Sequence, residues 1–154
     1  LTIIGFIPWE QATTGDGRAS LLGQLDSALA DNPDLITIQL GEGITVFDGL
    51  TDDFTTLINY VKARCPNAQI QIIGNFWVND DVNNPKIAAA SACGVTFVDL
   101  YPIATQESVY RSYVGAQVWG DDGQLHTIED FTVGAHPNDA GMEWIANAVL
   151  AAIQ

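Results

Sequence analysis

The feature that most constrains this chain is the alternation of short, nearly unbroken apolar runs with longer segments of helical period. Leu1–Ile7 (LTIIGFI), Leu35–Leu40 (LITIQL), Gln69–Phe76 (QIQIIGNF) and Val95–Leu100 (VTFVDL) are the runs. A strand that is apolar on both faces needs cover on both, which is the situation of a parallel sheet whose connections are helices. The intervening segments read as those helices. Arg18–Ala30 carries Leu21, Leu22, Leu25 and Leu29 on one stripe and stops at Asn32-Pro33. A second helix has Thr51 as its cap, Asp52 and Asp53 at its positive end, and Phe54, Leu57, Ile58 and Val61 on its buried face. Pro85 suits the first turn of an Ala-rich helix running to about Cys93. The last helix starts near Asn138-Asp139 and directs Met142, Ile145, Val149 and Ile153 inward. Tyr101 to Ala135 is the least regular stretch, and Trp119-Gly120-Asp121-Asp122-Gly123 within it reads as a turn or hairpin.

A length of 154 residues fits one domain, residues 1–154, and 47 % hydrophobic residues are enough for a core. The chain starts at Leu1 without a methionine, the start expected of a processed or shortened product. It contains no apolar run long enough to span a membrane. Nineteen Asp plus Glu against five Lys plus Arg give a net charge of −14 and a pI near 4.1. Such a surface repels phosphate backbones and anionic lipid, so nucleic acid is not an expected partner. Its acidity and scarcity of lysine fit an extracellular or cell-surface protein. The acidic residues Glu10, Glu42, Asp48, Asp99, Asp121 and Asp122 form no EF-hand loop, and neither a metal nor another cofactor is expected. Cys65 and Cys93 each end a helix just before a strand. They read equally as a disulfide or as two buried thiols.

In an open parallel sheet, ligands bind beyond the carboxyl ends of the strands. That rule gathers Pro8-Trp9-Glu10, Gly41-Glu42-Gly43, Asn75-Phe76-Trp77, Asp99-Leu100-Tyr101 and, before the last helix, His136, a reasonable general base. Trp9, Trp77, Trp119 and Tyr101 read equally as core residues or as walls of a sugar- or acyl-binding cleft.

Two segments carry a resemblance. DNPDLITIQLGEG resembles the part of the SGNH/GDSL hydrolases in which a Pro-Asp pair leads into a buried strand and a glycine turn. AHPNDAGMEWIANAVL resembles that family's last segment, where the triad histidine precedes a helix. A bacterial branch with a Q-L-G-E-N-V pattern and a later G-D-D-G-Q-x-H-T is similar to QLGEGI and to Gly120–Thr127 here. The resemblance implies a three-layer αβα, flavodoxin-like parallel sheet of about four to five strands. It also implies hydrolysis of acyl or acetyl esters, polysaccharide esters among them, by a serine nucleophile. His136 takes the histidine place. Gly41, Gly43, Trp9, Glu10, Asn75 and Trp77 fall around the oxyanion and substrate positions. The asparagine that donates to the oxyanion falls on Gly43, and the acid three residues before the histidine falls on Val133, leaving Asp130, Asp139 or Asp99 as substitutes.

The family's serine segment has no match. Either Leu1–Trp9 is that strand in degenerate form, or it is the following strand and the serine strand lies outside these residues. In the second case Leu1–Ile7 either pairs directly with Leu35–Leu40 or leaves a sheet slot there that takes a complementing strand from elsewhere, by self-association or from another segment. Two functions remain open: an ester hydrolase, and an inactive descendant that binds or assembles.

Overall fold

The computed structural model describes residues 1–153. It opens with α1 (Ile7–Gln11) and α2 (Gly15–Leu21), a 3-10 turn at Leu22–Leu25, and α3 (Asp26–Leu29). The central alternation follows: β1 (Leu35–Ile38), α4 (Leu50–Arg64), β2 (Gln69–Ile73), α5 (Asp80–Cys93) and β3 (Thr96–Val98). Two short helices, α6 (Tyr101–Ala104) and α7 (Glu107–Tyr110), lead to a hairpin of β4 (Gln117–Trp119) and β5 (Leu125–Thr127). The one-turn α8 (Phe131–Gly134) and α9 (Asp139–Ala151) complete the chain.

β1, β2 and β3 form a parallel sheet in that order, with Ile36 opposite Ile70 and Ile72 opposite Phe97. β2 lies in the middle, and its alternation assigns the layers. Ile70 and Ile72 pack with Phe54, Leu57, Ile58, Val82 and Ala89 of α4 and α5. Ile73 joins Val98, Leu100 and Ile145, on the side of α9. Gln71, on that same face, donates its amide to Val149 O at 3.2 Å. Helices therefore cover both faces of a parallel sheet, as the continuous apolar runs predict.

Among the described residues the sheet has three parallel strands rather than four to five. Leu1–Ile7 is not one of them. Pro8, with its fixed φ, sits in the first turn of α1 and draws Ile7 into a helix. Phe6 and Trp9 then bury against the α4 side, while Leu1 and Ile3 (85 % exposed) lie in solvent. Among the described residues, the edge of β1 away from β2 has no strand beside it.

Other local expectations shift for identifiable reasons. Thr51 lies inside α4, whose cap is Gly49 at φ 73°, a left-handed turn that glycine reaches without strain. Asn79 caps α5 through its side chain, so Pro85 falls within the helix rather than at its start. The 18–30 helix is broken by the 3-10 turn at Leu22–Leu25. On α9, Ile145 is buried and Val149 partly so, whereas Met142 is exposed, as is Ile153 beyond the helix end. Cys65 and Cys93 are buried free thiols with separate partners: Cys65 Sγ faces Leu29 O, and Cys93 Sγ lies near Asn59 Oδ1.

Candidate functional site

Three turns meet at the carboxyl ends of the strands. After β1 comes Gly41-Glu42-Gly43, after β2 Asn75-Phe76-Trp77, and beside them the His136-Pro137-Asn138 turn that opens α9.

Glu42 fastens the first turn to the second. Its Oε1 accepts from Phe76 N at 2.8 Å, and its Oε2 faces Asn75 Nδ2 at 3.3 Å. Desolvation raises the Glu42 pKa, against the pull of the Phe76 and Trp77 backbone N–H groups and of the Lys86 charge. Asn75 is fully placed from the other side: its N–H donates to Asn83 Oδ1 at 2.9 Å, and its Oδ1 accepts from Lys86 Nζ at 2.5 Å. Lys86 is buried on α5 and donates also to Ile73 O at 3.0 Å. Desolvation lowers its pKa to about 8, although Glu42 and Glu10 both favour its charge.

Gly41 is required here twice. Its φ is +134°, and a Cβ would stand 2.7 Å from both Asn75 Oδ1 and Val82 Cγ1. Its N–H donates to the Glu10 carboxylate. Glu10 also covers Gly43, where a Cβ would lie 2.8 Å from Glu10 Oε2. An asparagine at position 43 would meet that carboxylate, so Glu10 and Gly43 are mutually fitted.

The third turn docks on the second through Trp77. Its indole N–H donates to Ala135 O at 3.2 Å, and its ring meets His136 edge-on with centroids 4.8 Å apart. A backbone bridge between Arg111 and Pro137 holds the turn from outside, with Ser112 N donating to His136 O at 2.9 Å. The guanidinium of Arg111 in turn lies 5.5 Å over the Phe76 ring. Asn138 caps α9 and donates to Val109 O and Arg111 O.

His136 is exposed, with Nδ1 2.7 Å from Thr132 O. A carbonyl only accepts, so Nδ1–H is the donor, and in the neutral ring Nε2 is then the acceptor that a general base requires. Thr132 is fixed in turn by Asp130, whose Oδ1 caps α8 by accepting from Thr132 N at 2.7 Å and Thr132 Oγ1 at 2.5 Å. These bonds hold the Asp130 carboxyl below its usual pKa. A main-chain carbonyl thus orients the histidine where a carboxylate would be expected.

Several expected site residues lie elsewhere. Trp9 is 1 % exposed, with its ring 5.1 Å from that of Phe54 and the Arg18 guanidinium over it, so it forms core and not a cleft wall. Asp99 accepts from Tyr101 N in a local turn, and neither it nor Asp139 hydrogen-bonds His136. Trp119 projects from the hairpin, 76 % exposed. Among the described residues no group of three or more His, Cys, Asp or Glu is placed to hold a metal ion.

Sequence reasoning missed Lys86 and Thr132. Lys86 had a signal: it stands on the stripe Val82, Lys86, Ala89, Ala90, Cys93, where a buried cation needs a partner. Thr132 had none, because a backbone carbonyl leaves no mark in side-chain identity.

No family model matches the chain, and no curated protein matches it. Solved structures do. A protein from Chitinophaga pinensis described as a possible lipase superimposes with a TM-score of 0.57 at 15 % identity, over 86 % of this chain and 77 % of the other. A crystal structure from Parabacteroides merdae, described as GDSL-like lipase in kind, gives 0.53 at 17 % identity, over 85 % and 67 %. The fold is SGNH/GDSL-like. Gly43 and Val133 remain departures from the side chains that such a site is expected to carry.

Proposed function

We propose that this domain is a carboxylic-ester hydrolase of the SGNH/GDSL kind, acting on acyl or acetyl esters, with His136 as the general base. The observation that carries this reading is the 2.7 Å contact between His136 Nδ1 and Thr132 O, which in the neutral ring leaves Nε2 as the acceptor at the strand-end rim. The nucleophilic serine belongs to a strand that pairs with the open edge of β1, outside residues 1–154. In the reaction, Nε2 takes the serine proton as the Oγ–acyl bond forms and returns it to the leaving alcohol. Water then repeats the exchange to release the acid.

The test is hydrolysis of chromogenic acetyl and butyryl esters by the intact protein. Activity that falls by about a thousandfold or more in His136→Ala supports the reading. Absence of turnover in the intact protein, or turnover indifferent to His136, rejects it. A second reading, a domain that keeps the fold and binds without catalysis, is favoured by the absent side chain at Gly43 and by Val133. Absent turnover together with saturable binding of an acetylated glycan would establish it.

A further inference from the structure

The most informative group at the rim is a carboxylate that belongs to the protein itself. Glu42 reaches from the turn after β1 onto the turn after β2, where Phe76 N donates to Oε1 at 2.8 Å and Asn75 Nδ2 faces Oε2 at 3.3 Å. The Trp77 backbone N–H also favours the charged form of that carboxylate. Successive backbone N–H groups joined by an amide N–H are the donors that bind anions in loops. They are also the donors that stabilise an oxyanion. Behind them stands a cation: Lys86 donates to Asn75 Oδ1 at 2.5 Å and polarises the amide whose Nδ2 faces Glu42. Trp77 belongs to this donor turn and contacts His136 with its ring, so one residue adjoins both the donors and the base.

We infer that Asn75, Phe76 and Trp77 form the oxyanion site of this domain, and that the Glu42 carboxylate occupies it in the resting state as an internal stand-in for the substrate oxygen. As a catalytic statement this rests on the hydrolase reading above; as an anion site it does not. The assignment explains how a chain with glycine at position 43 still offers an amide donor. The donor comes from the turn after β2 instead of the turn after β1. Substrate enters when Glu42 swings out on its three side-chain torsions, and the acyl carbonyl oxygen takes over its bonds. Arg18, Lys62 and Arg64 are engaged elsewhere, with Asp53, Cys93 O and Asp26 respectively, and Arg111, which lies over the Phe76 ring, pairs with Glu107 at 2.9 Å; Lys86 is the cation hydrogen-bonded to a donor residue of this site.

A purely structural latch makes a different prediction: without Glu42 the two turns loosen and nothing binds. The experiment is a titration of Glu42→Ala with sodium acetate, followed by the backbone amide resonances of Phe76 and Trp77 and the side-chain amide of Asn75. Acetamide at equal concentration is the neutral control. Saturable shifts of these three groups with acetate, absent with acetamide and at least about tenfold weaker in affinity in the wild type, are expected. Folded Glu42→Ala that shows no saturable shift there, or a wild type that responds equally, overturns the inference. Should Glu42→Ala fail to fold, Glu42→Ser carries the test. Its side chain is too short to reach the Phe76 and Asn75 donors, and a folded variant with no saturable acetate response overturns the inference equally. Acetate binding without esterase activity would reject the hydrolase and keep the site; esterase activity without acetate binding would do the reverse.

Discussion

Lys86 Nζ stands 2.5 Å from Asn75 Oδ1, which joins a buried ammonium on α5 to the amide that faces Glu42 at the rim. A cation on a wholly covered helix face costs several kcal/mol unless it is paired and hydrogen-bonded. Here the Glu42 and Glu10 carboxylates both favour its charge. The strand-end turns are therefore held by one polar network and not by loop packing alone.

The Lys86 ammonium should titrate near pH 8 instead of 10.5, with burial as the cause. Between those values the unfolded chain binds a proton that the folded chain has released. This group therefore makes stability rise with pH across that window, while below about 8 its contribution is flat. Nitrogen or ε-carbon resonances of Lys86 followed from pH 6 to 11 check it. A midpoint near 10.5 contradicts the burial described.

Glu42 acts in the opposite sense. Its carboxyl pKa lies above 4.5 in the folded state, so its contribution is fully present below 4.5 and is lost as pH rises through the folded value. Replacement by Gln should flatten that part of the stability profile, measured by denaturant unfolding between pH 4 and 7. An unchanged profile would show that the carboxylate is not desolvated.

Gly41→Ala should destabilise the domain by about 3 kcal/mol, because its φ of +134° disfavours any side chain and the new Cβ would meet Asn75 and Val82. Gly49→Ala, also at positive φ but with no atom within 4 Å of the added Cβ, should cost about 1 kcal/mol. Urea unfolding of the two variants decides it. Equal losses would mean that the contact with Asn75 and Val82 has no weight.

Asp53→Ala should cost about 3–5 kcal/mol, since it leaves the buried Arg18 guanidinium without its partner at 2.5 Å. Arg18 also donates to Trp9 O and Val46 O, and so ties α1 and the segment after β1 to α4. The loss should appear in the denaturation midpoint. A cost under about 1 kcal/mol would place the pair among the weak surface bridges.

The parallel core was legible because Leu35–Leu40, Gln69–Phe76 and Val95–Leu100 are too short and too apolar for anything else. Leu1–Ile7 has the same composition and is not a strand. A strand exists only through a neighbour, and Pro8 and the burial of Phe6 and Trp9 compete for the same residues. The rule that ligands gather at strand ends brought together Glu10, Gly41, Gly43, Asn75, Trp77 and His136, and the contacts among these turns follow it. Trp9 read equally as core or as a cleft wall, and it lies in the core because α1 turns its side chain back onto Phe54. The orienting group of His136 was not legible at all, being the carbonyl of Thr132.

The most direct measurement is fluorophosphonate labelling of the intact protein, with the modified peptide located by mass spectrometry. In this reaction an activated serine Oγ bonds to phosphorus as fluoride leaves, so it reports a serine with a working base. A single labelled serine on a strand that adds to the edge of β1, with labelling lost in His136→Ala, is the predicted result. No labelling, or labelling at Ser20, Ser27, Ser91, Ser108 or Ser112 that is indifferent to His136, would contradict it.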